Sequence, residues 1–372
     1  MAMNPMPGES RMFGGYVNAH THLYSGLAPF GMPAPSTPPA DFMAILEQVW
    51  WRLDRAIDAA SLRASVRWYV AQALLAGTTT LIDHHESPAF IEGSLDVIAD
   101  ACDELGIRAL LCYGATERNG GDEEAQRGLT ECARFIASNR RPRVRGLVGL
   151  HASFTLSRES LREAGRIARA LGVGVHVHVA EDHADVEHAR RDGAAGPLER
   201  LLEERALPIG SILAHGVHLD EAAVRMAEGR GLWLVQNPRS NEGNRVGYAA
   251  SLAASAHVAL GTDGYASDMR EEFVSLQRLA AVNERATPLA VLEARLGAGS
   301  LLVDQHFGAS ELDRDEVEYD APQAGVRPSA KRVVIGGRTV VEDGRLVAGD
   351  MAAIEHDARE QAARLWTGMV AR

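Results

Sequence analysis

The run Tyr16-Val17-Asn18-Ala19-His20-Thr21-His22 decides how the rest of the chain is read. Gly14 and Gly15 precede it and a polar, proline-broken loop follows, so Gly15–Asn18 reads as a buried strand leading into two histidines. Residues i and i+2 of an extended chain point to the same face. His20 and His22 therefore present two imidazoles side by side, a spacing that a first-row divalent metal can use. The alternative is a chance pair on a surface strand, and the remaining sequence decides between the two.

Further along, apolar strand-like runs alternate with helix-periodic runs, the pattern of a parallel α/β fold. The strands are expected at Gly15–Asn18, Thr78–Asp83, Ile107–Tyr113, Val144–Leu150, Val173–Val179, Ser211–Ala214, Leu232–Gln236 and His257–Gly261. Between them, Ser61 to Ala76 illustrates the helices: Ser61 as cap, then Val66, Tyr69, Val70, Ala73 and Leu74 at helical spacing, with Gly77 at the end. Eight such units predict a (β/α)8 TIM-like barrel over residues 15–308. An open doubly wound sheet is the alternative, but the chain has no Gly-x-Gly-x-x-Gly fingerprint for a dinucleotide. Residues 1–14 read as a flexible lead, 309–350 as a small β element ending in a meander, and 351–372 as a terminal helix. The five-proline stretch Pro29 to Pro39 reads as a stiff lid over the strand ends.

In a barrel the reactive side chains gather where strands end. Here those ends are polar: His20 and His22, then Asp83-His84-His85-Glu86, then His151, His176 and His178 with Glu181, His215, Asn237, and Asp263. One histidine at a strand end is commonly structural, whereas several converging on one barrel mouth point to a metal. Neighbours on a strand face opposite sides, so at most one of His84 and His85 lines a pocket, and His84 is the candidate. His176 reads as core or as support for a ligand. Trp50 and Trp51 offer flat surfaces for a planar substrate, though one of them is expected to pack inward. Asn237, Ser240 and Asn241 either contact substrate or shape a turn.

The bulk composition narrows the function. The chain has 372 residues, is 46% hydrophobic and carries a net charge of -12. That supports a large core and argues against a nucleic-acid partner, since phosphates are held by clustered Lys and Arg. No run is long and apolar enough to span a membrane, and no secretory signal precedes His20. Three cysteines without a CxxC pair suggest reduced thiols and a cytoplasmic location. The single lysine, Lys331, lies outside the predicted barrel, which leaves no residue there for a Schiff base.

His20-x-His22, His178-x-x-Glu181, His215 and Asp263 resemble the amidohydrolase superfamily, in its mononuclear deaminase and chlorohydrolase branch. Trp50-Trp51-Arg52-Leu53-Asp54-Arg55, Asp83 to Pro88, Asn237 to Asn241 and Gly243 to Tyr248 are most similar to the aminohydrolases associated with selenium metabolism. The resemblance implies that His20, His22, His178 and Asp263 hold one divalent ion, zinc before iron or manganese. It implies Glu181 as proton shuttle, His215 as the group that orients an attacking water, Asp263 as a proton acceptor and His151 as a substrate contact. Binuclear relatives use a carboxylated lysine, which this barrel lacks. The implied reaction is hydrolytic deamination of an aminated N-heterocycle that is purine-, pterin- or pyrimidine-like, with His84, Trp50 and Asn237 as further substrate contacts. Cleavage of a cyclic amide or C–Cl bond at the same site, or a silent metal-binding assembly protein, are the alternatives. Relatives carry a run of strands before the first histidine pair. Without that run, the meander near Arg332–Val347 is expected to need cover from a homodimer or higher homo-oligomer, or from the final helix.

Overall fold

The computed structural model describes residues 12–308, 312–320 and 329–370. Its strands are β1 (Met12–Phe13), β2 (Tyr16–Thr21), β3 (Thr78–His85), β4 (Arg108–Ala115), β5 (Val144–Gly146), β6 (Val148–Ala152), β7 (Val175–Val179), β8 (Ile212–His215), β9 (Trp233–Gln236), β10 (Val258–Leu260), β11 (Glu316–Tyr319), β12 (Ala330–Ile335), β13 (Arg338–Glu342) and β14 (Arg345–Leu346). β2, β3, β4, β6, β7, β8, β9 and β10 are neighbours in that order and parallel throughout, with helices between most of them. The ring closes where Thr21 of β2 bridges Asp263, just past β10. This is the (β/α)8 barrel expected from the alternation of strand and helix.

A buried polar clamp makes that closure. Asn18 Nδ2 donates to Thr262 Oγ1 (2.7 Å), and Thr262 N donates back to Asn18 Oδ1 (3.0 Å). Gly261 is required at this seam: a Cβ there would lie 2.6 Å from Asn237 Oδ1 and 2.7 Å from the His20 carbonyl oxygen. β2 and β10 thus come close enough for their strand-end side chains to meet.

Several boundaries differ from the sequence expectation for physical reasons. The expected strand Val144–Leu150 is broken into β5 and β6, which pair with successive parts of β4. The helix expected at Ser61 starts at Ala59: Asp58 is the cap, and Ser61 completes a reciprocal capping box (Ser61 N to Asp58 Oδ1 2.9 Å; Asp58 N to Ser61 Oγ 3.0 Å). The lead expected to be flexible over 1–14 supplies β1, which pairs antiparallel with β11; residues 1–11 lie outside the described part. β11 lies within residues 309–350, read as a small β element, but ahead of the meander expected there.

β1, β11, β12, β13 and β14 form an antiparallel sheet in that order. Val317, Val333, Ile335 and Val341 are buried in one core with Val66 and Leu74 of helix Ala59–Leu75 and Ile354, Leu365 and Trp366 of helix Met351–Val370. The final helix therefore helps cover the meander, one of the two expected options. A fully buried pair, Arg108 Nη2 to Asp315 Oδ1 at 2.9 Å, ties the barrel to the sheet region.

The final helix also reaches the segment beside the barrel mouth. Trp366 Nε1 donates to the Phe30 carbonyl (3.0 Å), and Arg52 Nη2 donates to the Met369 carbonyl (2.9 Å). That segment is helix Phe42–Ile45, a π-helical turn Leu46–Trp50 and helix Trp51–Ala56. Asp41 caps its start by accepting from Ala44 N (2.8 Å). The π-turn widens the helix, as such turns do at functional sites. No helix among the described residues is long and apolar enough to cross a membrane.

Candidate active site and metal centre

The ends of β2, β7 and β10 bring His20, His22, His178 and Asp263 together, with one ligand atom from each within 4.8 Å of all the others. The imidazoles are pre-aimed. His22 Nδ1 donates to the His84 carbonyl (2.5 Å), and His178 Nδ1 donates to the His151 carbonyl (2.6 Å). His20 Nδ1 meets His176 Nε2 at 2.9 Å. With each Nδ1 committed outward, each Nε2 turns a lone pair inward, the arrangement by which metal-binding histidines are oriented.

The inward atoms fit a metal ion. His22 Nε2 and His178 Nε2 face each other at 3.3 Å, and in neutral rings whose Nδ1 atoms donate outward both would present lone pairs. His20 Nε2 is buried without a hydrogen-bond partner and lies 3.3 Å from Asp263 Oδ1, while His22 Nε2 lies 2.9 Å from the same oxygen. Tetrahedral ligands ~2.0 Å from zinc lie ~3.3 Å from each other. Three imidazoles and a carboxylate suit one divalent ion, zinc foremost, and leave room for water. His176, left open between core and support, stands behind His20 as its hydrogen-bond partner.

Glu181, His215 and Asp263 form a second cluster on the same floor, again with atoms within 4.8 Å. Glu181 Oε2 is 3.5 Å from His215 Nε2, and Glu181 Oε1 accepts from Asn244 Nδ2 at 3.3 Å. Burial pushes the Glu181 carboxyl up to about 7, the nearby His215 opposing and Asp263 adding to the rise. His215 Nδ1 donates to Asn241 Oδ1 (2.9 Å), which turns the unpartnered Nε2 toward the cluster. Ser240 Oγ hydrogen-bonds Asp263 Oδ2.

Backbone geometry makes this convergence possible. Ala180, His215 and Asp263 all adopt left-handed φ angles, 50°, 76° and 53°. Each stands just before a functional side chain or carries one. Such conformations cost about 1–3 kcal/mol each in non-glycine residues and cluster at active sites. They turn the chain sharply off β7, β8 and β10, so that Glu181, His215 and Asp263 lean over the barrel mouth.

Residues 12–306 match the amidohydrolase family. The chain belongs to that family. It is 30% identical to the 5'-deoxyadenosine deaminase of Methanopyrus kandleri, covering 94% of this chain and 86% of that one. Against the 8-oxoguanine deaminase of Pseudomonas aeruginosa the identity is 28%, covering 95% and 87%. A zinc-bound adenosine deaminase structure from Xanthomonas campestris superposes with a TM-score of 0.81 at 24% identity, covering 96% of this chain and 86% of the other. The chain is thus an amidohydrolase-family hydrolase acting on carbon–nitrogen bonds.

Above the metal-site residues opens a cleft. Trp50, Trp51, Phe42, Leu46 and Phe154 make its apolar wall, and His151, Glu181 and Asn244 reach into it. Both tryptophans face the cleft, so neither is the purely inward-packed one that the sequence reading expected. Apart from Phe154, the wall comes from the helical segment after the proline-rich stretch, not from the prolines themselves.

Two expected substrate contacts lie elsewhere. His84 is fully buried behind the cleft, held by Glu86 Oε1 at Nδ1 (2.7 Å) and the Leu150 carbonyl at Nε2 (2.9 Å). His85 is likewise buried against Ser87. Asn237 sits beneath His215, its Nδ2 3.4 Å from His215 Nδ1, and does not line the cleft. Glu86, Asp54, Asn244 and Asp185 line it instead. The first three fall inside motifs that carried the family resemblance, so the segments were visible in the sequence while the roles were not.

Proposed function

We propose that this chain is a zinc-dependent hydrolytic deaminase of a purine-type heterocycle, releasing ammonia. The observation that carries the reading is the joining of two constellations on one cleft floor: three inward lone pairs with Asp263, and Glu181 with His215 beside the same carboxylate. A structural metal site has no use for the second constellation. The names of the relatives, 5'-deoxyadenosine, adenosine and 8-oxoguanine deaminases, support the purine class.

His20, His22, His178 and Asp263 would hold the ion, which when bound supplies an activated water and Lewis acidity. The chain's own groups do the rest. Trp50 and Trp51 flank a flat ring and exclude bulk water. Asp263, fixed by Ser240, and His215, fixed by Asn241, are placed to accept and hold the water's proton. Glu181 delivers a proton to a ring nitrogen beside the attacked carbon, recovers one that the water gave up to Asp263 and His215, and passes it to the departing amine. The second proton of the attacking oxygen restores Glu181 as the carbonyl forms. A carboxyl held near neutrality by burial is suited to both transfers.

Ammonia release from adenosine, 5'-deoxyadenosine and 8-oxoguanine by the zinc-loaded protein tests the reading. Turnover of at least one supports it, and silence across all three at full zinc occupancy overturns it. The same reading includes a homo-oligomer: Val274, Val282, Leu289, Val291 and Leu301 leave apolar side chains exposed on the outer helices Met269–Asn283 and Leu289–Phe307. A monomeric mass in solution would remove that element. Three buried, unpaired cysteines support a reducing compartment such as the cytoplasm.

A further inference from the structure

The cleft's electrostatics and one unpartnered atom restrict the substrate further; this inference rests on the deaminase reading. Six carboxylates line the cleft (Asp54, Glu86, Glu181, Asp182, Asp185 and Asp263), and no Lys or Arg does so among the described residues. The nearby Arg118 is committed to Asp54 (2.8 Å) and to the Trp51 ring (4.7 Å to its centroid), and does not line the cleft. Arg118 offsets Asp54, and burial raises the Glu181 and Asp185 carboxyls to about 7, so the remaining acidic lining carries the negative charge. Apart from the metal ion, an anionic group entering here finds no cationic side chain on the wall to pair with among the described residues.

Glu86 is 2% exposed, lines the cleft and splits its two oxygens between different tasks. Oε1 accepts from His84 Nδ1 (2.7 Å), while Oε2 is buried without a hydrogen-bond partner. The nearest histidine proton, on His22 Nδ1 at 3.3 Å, already goes to the His84 carbonyl. A buried carboxylate oxygen left open in this way calls for a donor from the ligand. His151 stands beside it. Thr155 Oγ1 gives its own proton to the Ala152 carbonyl (3.0 Å) and accepts from His151 Nδ1 (3.1 Å), which leaves His151 Nε2 as an acceptor. One ligand atom each of Glu86, His151 and His178 lie within 4.8 Å of one another. The two acceptors therefore stand side by side on the cleft wall, close to the metal-site imidazoles.

We propose that Glu86 is a specificity-determining residue which, with His151, accepts hydrogen bonds from neighbouring N–H groups on the ring edge of an uncharged or cationic heterocycle. The same cleft rejects phosphorylated substrates. A site built to receive donors discriminates strongly against rings that lack them, because its buried acceptors are then left unpaired.

The test uses the zinc-loaded full chain and its Glu86→Gln variant. Binding of 8-oxoguanine, adenosine and adenosine 5'-monophosphate is measured by calorimetry, and KM and kcat are measured for whichever uncharged compound is turned over. The expected result is binding of 8-oxoguanine, which carries neighbouring ring N–H groups, about 100-fold or more tighter than the monophosphate and tighter than adenosine, whose ring nitrogens carry no hydrogen. Adenosine bound as tightly as 8-oxoguanine would overturn the donor-edge assignment. In Glu86→Gln, Kd and KM should rise about 10- to 100-fold, with kcat changing less and zinc unchanged. Glu86→Asp, which keeps the carboxylate, should recover part of the loss. Comparable binding of the monophosphate, an unchanged Kd and KM in Glu86→Gln, or loss of zinc in that variant would each overturn the inference. Tight, Glu86-dependent binding without ammonia release would overturn the proposed reaction and leave this inference standing. Ammonia release with monophosphate accepted equally would do the reverse.

Discussion

Replacing Glu181 by Gln separates the chemistry from the metal site. Neither carboxyl oxygen of Glu181 belongs to the converging ligand set; one faces His215 Nε2 at 3.5 Å and the other accepts from Asn244 at 3.3 Å. A glutamine keeps the side-chain shape and still offers an amide oxygen to Asn244. It also removes a carboxyl whose ionisation burial already resists, so folding is not expected to suffer. Zinc should remain at one ion per chain and the melting temperature should stay within a few degrees. The loss falls on proton transfer. General acid–base catalysis contributes about 10²–10⁴-fold, and here one group serves two transfers, to the ring nitrogen and to the amine. We expect kcat to fall about 10³–10⁴-fold, roughly 4–5.5 kcal/mol at 1.36 kcal/mol per decade. Coupled ammonia assays, metal analysis and thermal unfolding on the same preparation give the three readings. A substrate whose leaving group needs no proton, such as a chloro-substituted ring, should lose less. Parent-like turnover with full zinc would refute the shuttle assignment, and zinc loss would show Glu181 to be a ligand.

The other predictions concern the supports of the site. Ser240→Ala removes the hydroxyl that fixes Asp263 Oδ2, and should cost about 10- to 100-fold in metal affinity or kcat/KM, read by zinc titration and ammonia release. Stripping the metal with a chelator leaves the His22 and His178 lone pairs opposed at 3.3 Å; the melting temperature should fall and return on adding zinc, with about 2.7 kcal/mol regained at 100 times the Kd. An unchanged melting curve would contradict the centre. Gly299→Ala places a Cβ 2.8 Å from Val17 Cβ, where helix Leu289–Phe307 packs on β2; overpacking of this kind costs about 1–3 kcal/mol, measured by denaturant unfolding.

How much of this was legible in the sequence depended on how local each signal was. The barrel was legible because each strand is a short apolar run bounded by turn residues, and the helix between two strands has its own period. The metal set was legible for the same reason. His20 and His22 share a strand face, and His178 ends a strand three residues before Glu181. The partnership of β1 with β11 was not legible. It joins a two-residue strand near the start to a Glu-Val-Glu-Tyr run in which only Val317 is buried. Neither piece is long enough to announce itself. His84 illustrates a subtler failure. The pleat argument chose His84 over His85 for the pocket, but neither lines the cleft; Glu86, two residues after His84 and off the strand, reaches it while His84 holds Glu86 from behind.

The meeting of Glu181 with His215 and Asp263 depends on features that a residue-type reading does not contain at all. Ala180, His215 and Asp263 take left-handed backbone at positions where glycine would be the usual signal. Had glycine stood at 215 or 263, the turn would have been easier to form and the functional side chain would have been lost. The strain is therefore attached to the chemistry, and the surrounding structure must hold it. At Asp263 the backbone N–H is tied to the His20 carbonyl (2.9 Å), and the Asp263 carbonyl accepts from His22 N (3.3 Å). The same seam that closes the barrel thus fixes the carboxylate opposite both β2 histidines. Closure of the barrel and placement of the metal-site residues share the same contacts, because the segment that bridges β2 after β10 carries Asp263.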